Sequence, residues 1–294
     1  MEITEQPGPA TAALDRLSTE EIVALINTED AAVAAAVRTA LPEIARTVDL
    51  IADRLRHGGR LIYVGAGTSG RIGLLDAAEW GPAFGTPLRT VRALLAGSVG
   101  ASVEVAASVE GETDAGAADL RAREVTAADV VLGISAGGRT PYVIGALQTA
   151  RELGAATVSI VCDSGAPVSH LSDIAVVAVT GPEVLAGATR MKAGTAQKMI
   201  LNMISTAVNV RLGKVFGNIM VDIQPLNEKQ LARAGRVVAD AAGVSEDEAA
   251  RLLEAAGGSV KAAIVMAETG VDLPEARRRL ERAGGFVRAA IQGT

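Results

Sequence analysis

The most informative hydrophobic pattern lies at residues 60–79, RLIYVGAGTSGRIGLLDAAE, where an apolar run changes directly into a glycine-rich segment. Residues 61–64 are apolar and lie between glycines, which is typical of a buried strand. From Ile72 onwards apolar residues recur at helical spacing, so the pattern predicts a helix. A strand, a glycine turn and a helix start in this order direct backbone N–H groups and the positive helix end towards an anion.

Further apolar runs predict a sheet around this segment. They lie at residues 89–95, 129–134, 156–162 and 173–179. Helical patterns separate strands at the spacing of βαβ units. The sequence therefore predicts an α/β fold with a doubly wound, mostly parallel sheet and helices on both faces.

A second glycine turn follows the strand at 129–134. Its sequence is SAGGRTP at residues 135–141, and the proline suits the first turn of a helix. Ligands of such sheets bind beyond the carboxyl ends of the strands. We therefore expect the two turns to border one crevice and to hold the same phosphate.

The glycines at 65, 67 and 70 also match the G-x-G-x-x-G spacing of dinucleotide-binding turns. That fingerprint requires an acidic residue at the end of the next strand, but the run at 89–95 ends in Ala96-Gly97-Ser98. The hydroxyls of Thr68 and Ser69 instead favour a single phosphate, carried by a sugar. A glycine turn without a ligand is the alternative.

The remaining segments are predicted to be largely helical. Residues 1–17 form an irregular arm, residues 18–21 a capping box, and residues 104–124 a helix interrupted near Gly111 and Gly116. Glycines after residue 224 mark off three or four short helices. We predict three regions: an N-terminal arm with helices at 1–57, a sugar-phosphate domain at 58–223, and a small C-terminal helical domain at 224–294.

Composition excludes several classes of function. The net charge of −6, without a basic tract, argues against nucleic acid as a partner. No uncharged apolar run approaches the ~18 residues of a membrane span, and the acidic start is unlike a signal peptide. With Cys162 as the single cysteine, a cytoplasmic protein is expected. No cysteine or histidine spacing suggests a metal site.

Five motifs in order carry a family resemblance. They are GAGTSGR at 65–71, LDAAE at 75–79, SAGGRTPYV at 135–143, TRMKAGTAQK at 189–198 and KVFGNIMVD at 214–222. Together they resemble the N-acetylmuramic acid 6-phosphate etherase family, which has the sugar isomerase (SIS) fold. The resemblance covers nearly the whole chain. The motifs are shared more loosely with the animal glucokinase regulatory protein, which binds sugar phosphates without catalysis.

The resemblance implies a lyase that removes D-lactate from C3 of the sugar without a metal or nicotinamide cofactor. The family's acid corresponds to Glu79, for which the neighbouring apolar residues predict an apolar setting. The family's base corresponds by direct matching to Thr113, which is not basic, and by a shift of one residue to Glu112. We predict Glu112 as the base, with Glu110 and Asp114 as alternatives.

We predict that residues of the two glycine turns, together with the cation Lys192 near the start of the long helix at 189–212, hold the substrate. They are Gly67, Thr68, Ser69, Ser135, Gly138, Arg139, Thr140 and Lys192. Gly137 departs from the usual SIS turn, which has serine there. The apolar stripe from Met191 to Met203 favours a homodimer with sites near the interface. A non-catalytic sugar-phosphate regulator, and more weakly an amino-sugar-phosphate isomerase, are the alternative functions.

Overall fold

A computed structural model describes residues 2–98, 100–223 and 228–293. Its main sheet has five strands in the order β2-β1-β3-β4-β5, and every pair is parallel. The strands are β1 Leu61–Gly65, β2 Val91–Leu95, β3 Val130–Ile134, β4 Ala156–Val161 and β5 Ile174–Val177. The predicted α/β class and parallel sheet are confirmed.

Eight helices accompany the sheet in chain order. They are α1 Thr19–Ala31, α2 Val33–Arg38, α3 Leu41–Arg56, α4 Gly67–Phe84, α5 Val103–Glu110, α6 Thr113–Arg121, α7 Pro141–Glu152 and α8 Lys192–Arg211. The predicted capping box of Ser18 and Glu21 opens α1. The predicted arm contains short 3-10 turns, the first of them at Ile3–Glu5.

Helices cover both faces of the sheet, as adjacent residues of β3 demonstrate. A Cβ on Gly133 would meet Val143 and Leu147 of α7 at 2.8 and 2.9 Å. The next residue, Ile134, faces the opposite side and meets Gly73 of α4. Every residue of β1, β3 and β4 is buried, as expected for parallel strands between two helical layers.

The segment predicted as one interrupted helix forms α5 and α6, which are separated at Gly111 and Glu112. The predicted break near Gly116 is wrong, because Gly116 lies inside α6. A Cβ at Gly116 would collide with the carbonyl of Tyr142, and one at Gly145 would collide with that of Thr113. These glycines allow α6 and α7 to pack closely, so Gly116 serves a helix contact that its sequence neighbours do not reveal.

The chain divides by packing into two compact units. The first comprises residues 1–78 and 88–205, and the second comprises residues 79–87 and 206–294. The predicted boundary at 224 lies outside the described residues. The described residues after α8 form a short hairpin and five helices: β6 Val215–Phe216, β7 Ile219–Met220, α9 Glu228–Ala242, α10 Glu246–Ala255, α11 Val260–Thr269, α12 Leu273–Arg282 and α13 Val287–Gln292.

The second unit therefore has more helices than the three or four predicted. The extra boundaries come from capping residues as well as glycines, since Ser245, Ser259 and Asp272 each accept a backbone N–H at a helix start. Asp222 holds the end of the hairpin segment, pairing with Lys214 at 3.1 Å and with Lys261 at 3.3 Å. The Lys214 ammonium also donates to the carbonyl of Phe84 at 2.7 Å.

One buried carboxylate joins the starts of β1 and β3. Asp129, which is 2% exposed, accepts the backbone N–H of Arg60 at 2.8 Å, its Nη2 at 2.7 Å, and the backbone N–H of Thr126 at 2.9 Å. Burial by itself raises the pKa of Asp129, but the hydrogen bonds from Arg60 and Thr126 outweigh it and hold the pKa below its usual value.

We expect Asp129→Asn to lower the free energy of unfolding by about 2–3 kcal/mol, because it leaves buried donors without a charged acceptor. Urea denaturation measures this. Asp53→Asn, at a carboxylate that is 59% exposed, is the control and should change it by less than about 0.5 kcal/mol.

The same variant has a defined pH dependence. Because the pKa of Asp129 is lower in the folded than in the unfolded chain, where it is about 3.9, its contribution is present above that value. It is lost as the pH falls through the folded pKa. Wild type should therefore lose more stability than Asp129→Asn between neutral and acid pH, and equal losses would contradict the assignment.

Candidate functional site

The two glycine turns are neighbours at the carboxyl edge of the sheet. β1 pairs with β3, and Gly65 lies opposite Ile134 at the last residue of each strand. From β1 the chain goes to β2 on one side and then to β3 on the other, so the strand order reverses between β1 and β3. Ligands of open α/β sheets bind at such a reversal. The predicted adjacency of the turns is confirmed, while their binding of phosphate stays a prediction.

The first turn depends on close backbone contact. A Cβ on Gly65 would lie 2.7 Å from the backbone of Gly70, and one on Gly70 would lie as close to Gly65. Gly67, with φ of 51°, occupies the left-handed region at the start of α4. This geometry brings the amino end of α4 directly behind β1.

Thr68 and Ser69 lie in the first turn of α4 and are half-buried. Neither hydroxyl makes a hydrogen bond to another residue in the part of the chain that the structure describes. Thr68 also lies beside α8, since its Cγ2 is 3.5 Å from a Cβ built on Gly194. Together with the positive end of α4, these hydroxyls form a donor set suited to an anion.

In the second turn, one residue predicted to bind the phosphate makes hydrogen bonds within the turn itself. The buried Ser135 hydroxyl accepts the N–H of Gly138 at 3.0 Å and shares a hydrogen bond of 2.9 Å with the hydroxyl of Thr140. Gly138 has φ of 67°, which requires glycine. Thr140 precedes α7 without a side-chain capping bond, so that helix start keeps N–H donors for a ligand.

Arg139 extends from the second turn to solvent. Its Nη2 donates to the carbonyl of Gly165 at 3.3 Å, and its Nε lies 3.6 Å from a carboxylate oxygen of Glu2. Glu2 is not among the site residues that the sequence predicts. The only indication in the sequence is that Glu2 belongs to an acidic arm that ends in prolines, and this pattern does not show where the arm lies.

Lys192 lies at the start of α8 but has a partner inside the chain. Its ammonium, 4% exposed, donates to a carboxylate oxygen of Glu29 in α1 at 2.6 Å. The buried Glu183 carboxylate accepts the N–H groups of Lys192 and Ala193 at 2.8 and 3.0 Å. The contacts thus show Lys192 tying α1 to α8, and a role in substrate binding stays a prediction.

The two candidate catalytic carboxylates lie in different compact units of the chain. Glu79 is in the last third of α4 and is exposed. The apolar setting predicted for it is wrong within this chain, because the helix turns the adjacent Trp80 inwards instead.

Glu112 is the residue before α6 and is also exposed; it accepts a long hydrogen bond of 3.5 Å from the hydroxyl of Ser108. The next residue, Thr113, is fixed by the contact of its carbonyl with Gly145 of α7. Glu110 ends α5, and Asp114 lies in the first turn of α6. All the candidate bases therefore lie in or beside one short link between two helices.

Other classes of site find no support in the described ranges. No three acidic, histidine or cysteine side chains come together there as metal ligands would. Of the helices described, none is both long and apolar enough to span a membrane.

Comparison with known proteins shows the family and the fold of this chain. The glucokinase regulatory protein N-terminal SIS domain matches residues 43–151, and the SIS domain matches residues 107–207. N-acetylmuramic acid 6-phosphate etherases from Geobacillus thermodenitrificans and Mycolicibacterium smegmatis are 54% and 52% identical to this chain. Each comparison covers 90% of the chain, and 89% and 88% of the relatives.

Solved structures show the same fold at low identity. A phosphoheptose isomerase from Neisseria gonorrhoeae has a TM-score of 0.54 at 17% identity and covers 66% of this chain and all of its own. A phosphosugar isomerase from Bacteroides fragilis has a TM-score of 0.52 at 20% identity, with coverage of 68% and 95%. These likenesses concern the SIS fold alone.

We expect Ser69→Ala to weaken the binding of N-acetylglucosamine 6-phosphate by about 1–2 kcal/mol, the scale of a hydrogen bond to a charged group. Titration calorimetry measures the affinity. The control is Thr39→Ala, which removes an exposed hydroxyl bonded only to its own helix and should have no effect. Equal affinity of wild type for phosphorylated and unphosphorylated sugar would contradict a phosphate site.

Proposed function

We propose that this chain, which belongs to the N-acetylmuramic acid 6-phosphate etherase family, is a carbon–oxygen lyase that converts N-acetylmuramic acid 6-phosphate into N-acetylglucosamine 6-phosphate and D-lactate. The observation that carries the proposal is the identity of 50–54% with etherases over 90% of the chain. The match is long enough to include residues of both compact units. We place the reaction in cytoplasmic recycling of cell-wall sugars.

The phosphate binds at the two neighbouring turns in this proposal. The positive end of α4 and the hydroxyls of Thr68 and Ser69 face the phosphate from one side. The helix start after Thr140 and the cation of Arg139 face it from the other. The sugar phosphate is dianionic near neutral pH, so a site that joins a helix end to a guanidinium favours it over the free sugar.

The chemistry needs two carboxyl groups in opposite protonation states. In the open-chain sugar the aldehyde at C1 makes the C2 proton acidic, and Glu112 as carboxylate removes it. The electron pair left at C2 forms a double bond to C3 while the C3–O bond to lactate breaks. Glu79 as carboxylic acid protonates the departing oxygen. Water then adds to the double bond: its hydroxyl joins C3 while the Glu79 carboxylate takes its proton, and Glu112 returns its proton to C2, which restores both groups. The overall reaction consumes one water and involves no net oxidation or reduction.

We propose that the protein acts as a homodimer, and two helices support this. No residue of α1 is buried within the chain, and its Val23 is 61% exposed. The predicted stripe is only half-buried at Met191, directly before α8, and at Met199 and Met203 within it. Apolar helix faces of this kind are normally covered by a partner.

We expect the wild-type chain to have the mass of a dimer by light scattering at micromolar concentration, and Val23→Asp to shift it towards monomer. Glu20→Gln changes the exposed face of the same helix without adding charge and is the control. A fully active wild-type monomer would refute the proposal.

The catalytic roles predict different defects in two variants. Glu112→Gln keeps size and hydrogen bonding but has no basic carboxylate, so it should lose both lactate release and exchange of the C2 proton with deuterated water. Glu79→Gln lacks the acid and should lose lactate release by ~10²–10⁴-fold while some C2 exchange continues. NMR of the substrate in deuterated water measures both quantities in one sample.

Glu110→Gln, two residues away at the end of α5, is the matched control and should keep both activities. Wild-type exchange in Glu112→Gln together with loss in Glu110→Gln would transfer the role of base to Glu110. Tight binding of the sugar phosphate by a wild type that neither exchanges nor releases lactate would favour the non-catalytic regulator, as the match to the glucokinase regulatory protein domain does.

A further inference from the structure

The carboxylate of Glu2 lies directly over Gly137 in the second turn. A Cβ built on Gly137 would overlap the carboxylate carbon and both of its oxygens, so no larger residue fits there while Glu2 is in place. The chain has glycine where the usual SIS turn has serine. The missing side chain creates the space that the acid of the N-terminal arm occupies.

The arm is held in this position by its backbone. The N–H of Ile3 donates to the carboxylate of Asp163, just after β4, at 3.2 Å. The carbonyl of Thr4 accepts the N–H of Gly187 at 3.1 Å, and Thr4 is fully buried. Because the contacts come from three successive residues, the arm has a defined position at the carboxyl edge of β3 and β4.

The surroundings of Glu2 in this position are unfavourable for a charged carboxylate. Partial burial and the nearby carboxylates of Glu5 and Asp163 raise the pKa of Glu2, and Arg139 only partly offsets them. Arg139 is also the one cation that contacts Glu2 among the described residues, at 3.6 Å. An anion that displaced Glu2 would take over this guanidinium, and the arm's acid would move away from Asp163, which lies outside the arm.

We propose that the N-terminal arm is an internal competitor of the substrate: while the arm is docked, the Glu2 carboxylate over Gly137 engages Arg139 and blocks the adjacent place of the phosphate on the second glycine turn, until the phosphate displaces it. The inference rests on the proposed function only in locating the phosphate at this turn. The apparent affinity is then the affinity of the open turn multiplied by the fraction of molecules in which the turn is open. An arm docked in about nine molecules of ten weakens binding tenfold.

Two substitutions open the turn from opposite sides. Glu2→Ala removes the competing acid, and Gly137→Ser fills its space with a side chain. Glu2→Ala should tighten the binding of inorganic phosphate and of N-acetylglucosamine 6-phosphate by about tenfold if the arm is docked as above, and Gly137→Ser by at least as much, because its hydroxyl also adds a donor. The double variant should gain no more than the better single variant, because both changes remove one contact. Asp15→Asn, on the arm but in a separate 3-10 turn, is the control and should bind as wild type.

Hydrogen exchange of wild type gives a test that needs no variant. Ligands normally slow amide exchange. The N–H groups of Ile3 and Gly187 should instead exchange faster when phosphate is added, because both donate hydrogen bonds that hold the docked arm. Titration calorimetry of the full chain gives the affinities, and a lactate assay on the same preparations measures activity separately.

The outcomes separate this inference from the proposed function. Tighter phosphate binding in Glu2→Ala and Gly137→Ser supports the competitor, whether or not lactate is released. Unchanged or weaker binding in both overturns it, even when lactate release is normal. Absence of phosphate binding in wild type and both variants also overturns it, because the turn is then not a phosphate site.

Discussion

The close contact of Gly65 with Gly70 is the constraint on which the site depends. Two α-carbons without side chains allow the backbone to leave β1 and enter α4 within a few residues, so that the start of the helix lies at the end of the strand. A side chain on either residue would collide with the backbone of the other and force the two elements apart. The donors of the turn would then no longer point across the edge of the sheet towards the second turn. The parallel pairing of β1 with β3 supplies the other half of the geometry, since it places the ends of both strands in register.

The contribution of each turn differs although their compositions are alike. In the first turn the hydroxyls of Thr68 and Ser69 have no acceptor among the residues described, and their donors are available to a ligand. In the second turn Ser135 and Thr140 bond to each other, and Ser135 also accepts from the backbone. A hydroxyl that already satisfies its neighbours adds little net free energy to a ligand, because binding then exchanges one hydrogen bond for another. In the proposed site, the first turn therefore supplies most of the recognition through hydroxyls, and the second acts mainly through its helix start and Arg139.

Local patterns in the sequence were sufficient for the strands, the turns and most helix starts. Apolar runs locate buried strands, and Ser18 with Glu21 locates a cap, because these signals reside in adjacent residues. Long-range contacts were beyond such patterns. Gly116 resembles a helix breaker in sequence, but glycine is needed there because a side chain would collide with the carbonyl of Tyr142. Lys192 resembles a free cation near a glycine motif, but its partner is Glu29, far away in the chain. The exposed position of Glu79 follows from the helical phase that buries Trp80, which composition alone did not resolve.

Gly137 links the weakness of the second turn to the position of the arm. Relative to serine, glycine removes one hydroxyl donor, a loss of about 1 kcal/mol for a bond to an anion. The same absence of a side chain admits the Glu2 carboxylate, which competes for Arg139 and for the space above the turn. Both effects act against the phosphate at the same position and in the same direction. A chain that kept only the first effect would have a weaker site that is always open. With the second effect the occupancy of the site also depends on the free energy of docking the arm, and that free energy is set by Asp163 and Gly187, which lie outside the turn itself. In the proposed competition, affinity is therefore controlled in part by residues that do not contact the substrate.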